Sequence, residues 1–167
     1  GIYGAILNNP SNYIEYYIYA DNDSAGLFSP ERAAYEYYTI NNSIDPNQLV
    51  INEIMSNNTS TVVDQSNDYE DWIEIYNPTP YSVTTNGLYL SDDTANYQKW
   101  MFPNYHIPSD GYLIVWADED QSQGRLHANF KLLNLGENLI LSYYDSLVID
   151  SITFPAINEN SSYARSP

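Results

Sequence analysis

The sequence predicts an all-β protein, and three observations lead there. Helical periodicity is nearly absent, and the apolar residues fall in short runs rich in Tyr, Ile, Val, Leu and Trp. Those runs are bounded by Asn, Asp, Ser, Gly and Pro, which is the pattern of strands and turns. With 43% apolar residues and 18 Tyr among its 167 residues, the chain has the large side chains that a core requires.

Nine strands are expected, over residues 13–20, 35–40, 49–55, 71–77, 87–91, 99–102, 111–117, 138–144 and 147–154. One short helical turn is expected at 29–34, with Ser29 as N-cap and Pro30 as the first helical residue. In the fourth run Trp72, Glu74 and Tyr76 alternate with Ile73 and Ile75, so the two isoleucines share one face and the other three residues share the opposite one. Asn77-Pro78 and Pro80 then end that strand, because proline cannot donate to a ladder. The run 111–117 is almost continuously apolar and reads as a strand buried on both faces or nearly so. Before it, Ile107-Pro108-Ser109-Asp110-Gly111 reads as a turn with Gly111 at positive φ, and Gly136 is expected to play the same part before Leu139. Asp145-Ser146 between the last two runs is a hairpin signal.

A seam is expected at 41–47, a polar stretch containing Pro46. It divides residues 1–44, whose strands are too few to close a core, from residues 45–167. The first part is expected to be the end of a preceding β-module or an extra ribbon. The opening Gly1-Ile2-Tyr3, without Met, reads as a piece of a longer protein.

Composition removes several functions. The 22 acidic residues against 5 basic ones give a net charge of −17, which repels phosphate backbones and argues against nucleic-acid binding. No apolar run approaches the roughly 18–20 residues of a membrane span. Without cysteine, disulfides and thiolate metal sites are impossible.

From residue 49 the chain resembles the lamin tail domain, an immunoglobulin-like β-sandwich found in nuclear lamins and in bacterial exported proteins. The resemblance rests on Leu49-Val-Ile-Asn-Glu-Ile-Met55, Asp71-Trp-Ile-Glu-Ile-Tyr-Asn-Pro78, Gly87-Leu-Tyr-Leu-Ser-Asp-Asp93 and Lys99-Trp-Met-Phe-Pro103. Ile107-Pro-Ser-Asp-Gly-Tyr112, Leu126-His-Ala-Asn-Phe-Lys-Leu132 and Gly136-Glu137 with the terminal hairpin follow in the family's order. Where the family continues past residues 161–167 into an Asp-Gly turn and a further segment, this sequence stops; either that segment has been trimmed or the edge strand is missing, which would leave a sheet edge exposed. Residues 13–40 resemble the last strands of an immunoglobulin-like or fibronectin-like module. The resemblance implies a lamin-tail-type sandwich with an extra N-terminal ribbon, in an exported, periplasmic or cell-surface bacterial protein. Such parents often include a spore-coat-protein-H-like kinase region, so catalysis would belong to a neighbouring domain.

The chemistry-bearing residues are few. His106 and His127 are the only histidines; they lie far apart and lack a His/Glu pair at helical spacing, which argues against zinc, and His127 reads as a strand-face residue. Asp118-x-Asp120-x-Ser122 mimics positions 1, 3 and 5 of a calcium loop. The mimicry then fails, with Gln123 where glycine is needed and Asn129 where a bidentate Glu is needed. Calcium at Asp118, Asp120 and Ser122 is therefore the one cofactor candidate, and the expected cofactor is none. No Gly-x-Ser-x-Gly elbow and no glycine-rich phosphate loop occurs, so no enzyme is expected. Trp100, Tyr16, Tyr37 and Tyr144 are candidates for stacking on a protein or glycan partner. The expected function is a non-catalytic interaction or spacer module, with a carbohydrate-binding module using exposed Tyr and Trp as the alternative.

Overall fold

The computed structural model describes residues 13–22, 24–34, 36, 38–41 and 44–165. The chain forms two compact units, residues 1–44 and 45–167. Among the described residues the only helical element is a short 3-10 turn, and no helix is long and apolar enough to cross a membrane.

In the first unit, β1 (Tyr13–Tyr16), β2 (Ile18–Asn22), β3 (Ala25–Ser29) and β4 (Tyr38–Asn41) make two antiparallel pairs, β1 with β4 and β2 with β3. The single strand expected at 13–20 is thus two strands with different partners. The β2–β3 turn is held by Asn22, whose Oδ1 accepts the N–H groups of Ser24 and Ala25 at 2.9 and 3.0 Å, the usual asparagine turn device. The helix expected at 29–34 does not form. Ser29 is still in β3, and its hydroxyl lies 2.7 Å from the Tyr38 hydroxyl instead of capping a helix. One bond from the Glu36 N–H to the Arg32 carbonyl, 2.8 Å, closes a lone turn, too little to offset helix nucleation.

Among the described residues the second unit contains ten strands. In chain order they are β5 (Val50–Met55), β6 (Trp72–Tyr76), β7 (Val83–Thr84), β8 (Tyr89–Ser91), β9 (Trp100–Met101), β10 (His106–Ile107), β11 (Tyr112–Trp116), β12 (Asn138–Tyr143), β13 (Leu147–Thr153) and β14 (Tyr163–Ala164). Two four-stranded antiparallel sheets result, ordered β11-β6-β5-β14 and β13-β12-β8-β9, with β10 and β7 forming a small third pair. Ile51, Ile54, Ile73, Ile75 and Val115 from the first sheet, and Leu90, Leu139 and Leu141 from the second, are fully buried and fill the core. This is an all-β immunoglobulin-like sandwich, the architecture the alternation at 72–76 requires.

Three local expectations change. β11 is an edge strand, and Tyr112 at its start is 56% exposed while Val115 and Trp116 are buried; its apolar run serves two different packings. The positive φ in the turn before it belongs to Asp110 (54°). Gly111 is needed for close approach instead, since a Cβ there would sit 2.6 Å from Pro108 Cγ. The chain end does not leave β5 bare: Tyr163 and Ala164 pair with Ile54 and Glu53. At Gly136 the expected positive φ is present, at 92°. The final hairpin turns through a 3-10 segment, Tyr144–Ser146, with Ser146 at φ 61°.

One buried carboxylate ties the two sheets together. Asp150, on β13, accepts the Ile51 N–H of β5 at 2.7 Å through Oδ2 and the Arg165 guanidinium beyond β14 at 2.9 Å through Oδ1. Its loss would leave a buried N–H and a half-buried cation without partners. We expect Asp150→Ala to destabilise the second unit by about 2–4 kcal/mol in urea unfolding; a loss under about 0.5 kcal/mol would show that water replaces the carboxylate.

Candidate functional site

The first sheet is apolar on both faces at one end. Its outer face, opposite the core, shows transverse rows set by strand register. Met55, Trp72 and Trp116 are direct cross-strand neighbours and form the first row. All three are buried, with Ile114 packed against them. Two loops close over this row, residues 56–71 and 117–131, because rings of that size left in water would cost about 25 cal/mol per Å² of apolar surface.

Asn58 shapes the first loop. Its side chain donates to the carbonyls of Val62 and Glu70 at 2.6 and 2.8 Å and accepts the Thr61 N–H and hydroxyl at 3.1 and 2.6 Å. Asp64 follows, with Oδ1 accepting the N–H groups of Ser66 and Asp68 at 2.8 and 2.9 Å. The second loop is anchored to the sheet edge where the Ala128 N–H meets the Trp116 carbonyl at 2.7 Å. This sets the His127 ring against Trp116, centroids 6.4 Å apart and planes 26° from parallel.

Asp64, Asp118 and His127 meet beneath the loops, all buried. His127 Nδ1 lies 2.5 Å from Asp118 Oδ2, and His127 Nε2 lies 2.6 Å from Gln65 Nε2. Gln65 Nε2 also donates to the Gln123 carbonyl at 3.0 Å, which fixes the amide as a donor. His127 Nε2 is therefore the acceptor and Nδ1 carries the proton, donated to Asp118. Asp64 Oδ2 is buried without a hydrogen-bond partner and stands 4.0 Å from His127 Nε2. Burial first, then Asp118, with smaller contributions from Asp68 and Asp64, raise the Glu70 carboxyl above its ordinary range, while the charge of Lys131 opposes the rise.

His127, expected on a strand face, is instead fully enclosed, because the loop that carries it is pulled onto Trp116. His106 lies exposed in β10. Asp118, Asp120 and Ser122 do not converge as three ligands. Asp118 Oδ1 accepts the Asp120 N–H at 2.9 Å, and Asp120 Oδ1 accepts the Ser122 N–H and hydroxyl at 3.1 and 2.5 Å, so each carboxylate closes a local turn. Asp64 escaped sequence reasoning altogether; no local pattern pairs it with His127.

The aromatic candidates separate as well. Trp100 is 4% exposed, with its ring 4.8 Å from Phe102. Its cross-strand partner is the core residue Leu90, so it faces inward and offers nothing to a partner. Tyr144 is 46% exposed and meets Tyr143 edge-on at 5.0 Å. Tyr16 is half-buried, with its ring 5.3 Å from Tyr38. Tyr37 lies outside the described residues.

A platform not anticipated is the third row of the outer face, where Tyr76 and Tyr112 are cross-strand partners. Their rings stack at 4.7 Å and 24°, and the Tyr76 hydroxyl donates to Asp110 at 3.1 Å. Glu74, in the row between, accepts the Asn52 amide at 2.7 Å. Alternation from Gly111 puts Tyr112 on the face of Trp116, but the register that sets it beside Tyr76 is not visible in either strand alone.

Two antiparallel four-stranded sheets around one core, with loops roofing an outer face, define an immunoglobulin-like class of module. The chain belongs to the lamin tail domain family, whose model matches residues 42–156. Searches against curated proteins and solved structures returned no match.

Asp71, the loop residue just before β6, accepts the Asn58 N–H at 3.2 Å. Its carboxyl is pushed up from 3.8 to about 6, chiefly by burial, with the Asn58 bond opposing and Glu70 reinforcing. A carboxyl whose folded pKa is raised binds more protons folded than unfolded, so its contribution to stability falls as pH rises from about 4 to 6. Asp71→Asn keeps the acceptor and removes the charge. Unfolding measured from pH 4 to 7 should show this variant more stable than the parent at pH 7, with a shallower decline; parallel curves would refute the assignment.

Proposed function

We propose that this chain is a non-catalytic interaction module of an exported or cell-surface bacterial multidomain protein, holding a partner on its sandwich surface. The observation behind the reading is the Tyr76–Tyr112 stack. Aromatic rings on a rigid sheet lose little conformational entropy on binding, and they contribute disproportionately to recognition. Asp110, Glu74 and Asn52 flank the rings with polar groups able to orient a bound molecule. The family match supports a module of this kind, and the net charge of −17 favours an uncharged or basic partner.

A carbohydrate partner is the second reading, favoured by stacked rings bordered by carboxylates and an amide. A glycan array and affinity capture from cell-surface fractions, each run with Tyr112→Ala, separate the two. Truncating one ring of a central aromatic pair should weaken binding by about 30-fold, on the order of 2 kcal/mol, while the half-exposed position leaves unfolding nearly unchanged. Binding that survives Tyr112→Ala and Tyr76→Ala would remove the platform from the account, and a chain found only in the cytoplasmic fraction would overturn the location.

A further inference from the structure

The enclosed triad beneath the loops poses an electrostatic problem that the loop hydrogen bonds do not resolve. Asp64 and Asp118 have side chains that are 0% and 1% exposed, and the His127 side chain is 0% exposed. The hydrogen-bond pattern makes His127 neutral, so two carboxylates share a dry space with no positive charge among them. Asp118 has partners on both oxygens. Asp64 does not: Oδ1 is used by the loop, and Oδ2 is aimed at His127 Nε2 from 4.0 Å with nothing bonded to it. A buried carboxylate oxygen without a partner costs several kcal/mol unless a cation or proton compensates it.

We propose that this cluster is a binding site for a divalent first-row transition ion of the zinc type, with His127 Nε2 and Asp64 Oδ2 as direct ligands. Each of Asp64, Asp118 and His127 offers a donor atom, and these lie within 4.8 Å of one another. The tautomer is already correct, with the proton on Nδ1 and the Nε2 lone pair engaged only by the Gln65 amide. Asp118 takes the place of the carboxylate that commonly orients a ligating imidazole through its other nitrogen. Two metal–ligand bonds of about 2.1 Å at a tetrahedral angle need donors about 3.4 Å apart, so the loops close by roughly half an ångström. Gln65 supplies the entry. It is an exposed residue whose amide rests on Nε2, and turning it aside opens the lone pair to an ion from solvent. One imidazole and carboxylate oxygens, with no thiolate, suit Zn²⁺, Co²⁺ or Mn²⁺ more than Cu⁺. Calcium takes 6–8 oxygen ligands, more than the triad offers.

The test is titration of the EDTA-treated chain with Zn²⁺ by calorimetry and thermal unfolding, with Co²⁺ as an absorbing substitute. Stoichiometric binding, a Tm raised by Zn²⁺ but not by Ca²⁺, and a Co²⁺ visible band from low coordination number are expected. Asp64→Asn, which keeps the loop acceptor, should weaken Zn²⁺ at least tenfold, and Asp118→Asn by 10–100-fold as an orienting residue. His106→Gln should change nothing, since the exposed histidine is the alternative surface site. Should Asp64→Asn fail to fold, the wild-type imidazole signals decide: Zn²⁺ must shift His127 Nε2 and leave His106 in place. No rise in Tm with Zn²⁺, or binding abolished by His106→Gln, overturns the proposal and leaves the triad a structural hydrogen-bond chain.

Discussion

In a two-layer sandwich each sheet has one face for the core and one for water. The sheet β11-β6-β5 does not follow that division, because Met55, Trp72 and Trp116 stand in one row on the face opposite the core. The chain must then supply a second layer over that row. Residues 56–71 and 117–131 do so as loops. Nearly every unusual feature of this end of the molecule follows: Asn58 inside its loop, Asp64 and Asp118 out of water, and His127 lying on an indole.

Loops that cover apolar surface bury backbone groups outside any ladder, and those groups need partners. The chain meets this need with single polar side chains that serve several backbone groups at once. Asn58 does so in the roof. Asn77, fully buried at the end of β6, donates to the carbonyls of Tyr81, Ile107 and Pro108 and accepts from Thr79. Ser91 does the same on the second sheet, reaching the Asn96 carbonyl at 2.7 Å and accepting the Asp93 N–H at 2.9 Å, and Ser142 holds the Tyr97 carbonyl at 2.7 Å. The core is apolar packing of aliphatic side chains with Trp100, Phe102, Phe130 and Phe154 among them, while asparagine, serine and aspartate hold the loops above it.

How much of this was legible depended on distance along the chain. Alternation within 72–76 put Ile73 and Ile75 together on one face, which the structure makes the core face, and pairing of 138–144 with 147–154 followed from their adjacency. Trp100 was misread because its strand is two residues long, too short for alternation to show which way a ring points. Gly111 was assigned the wrong role because the sequence shows that a turn needs a permissive residue, not which neighbour adopts the positive φ. Asp64 and His127 meet only because two loops fold onto the same tryptophans; nothing local to either residue carries that information. The stacked tyrosines depend in the same way on the register of β6 with β11.

The three tryptophans of the chain occupy two separate compartments. Trp100 lies inside the sandwich, while Trp72 and Trp116 lie beneath the loops, one of them against an imidazole. Intrinsic fluorescence is thereby divided by position: an opening of the roof wets two indoles and releases one from its histidine neighbour, and the third stays dry until the sandwich itself comes apart. The protein has a built-in optical distinction between loop motion and global unfolding.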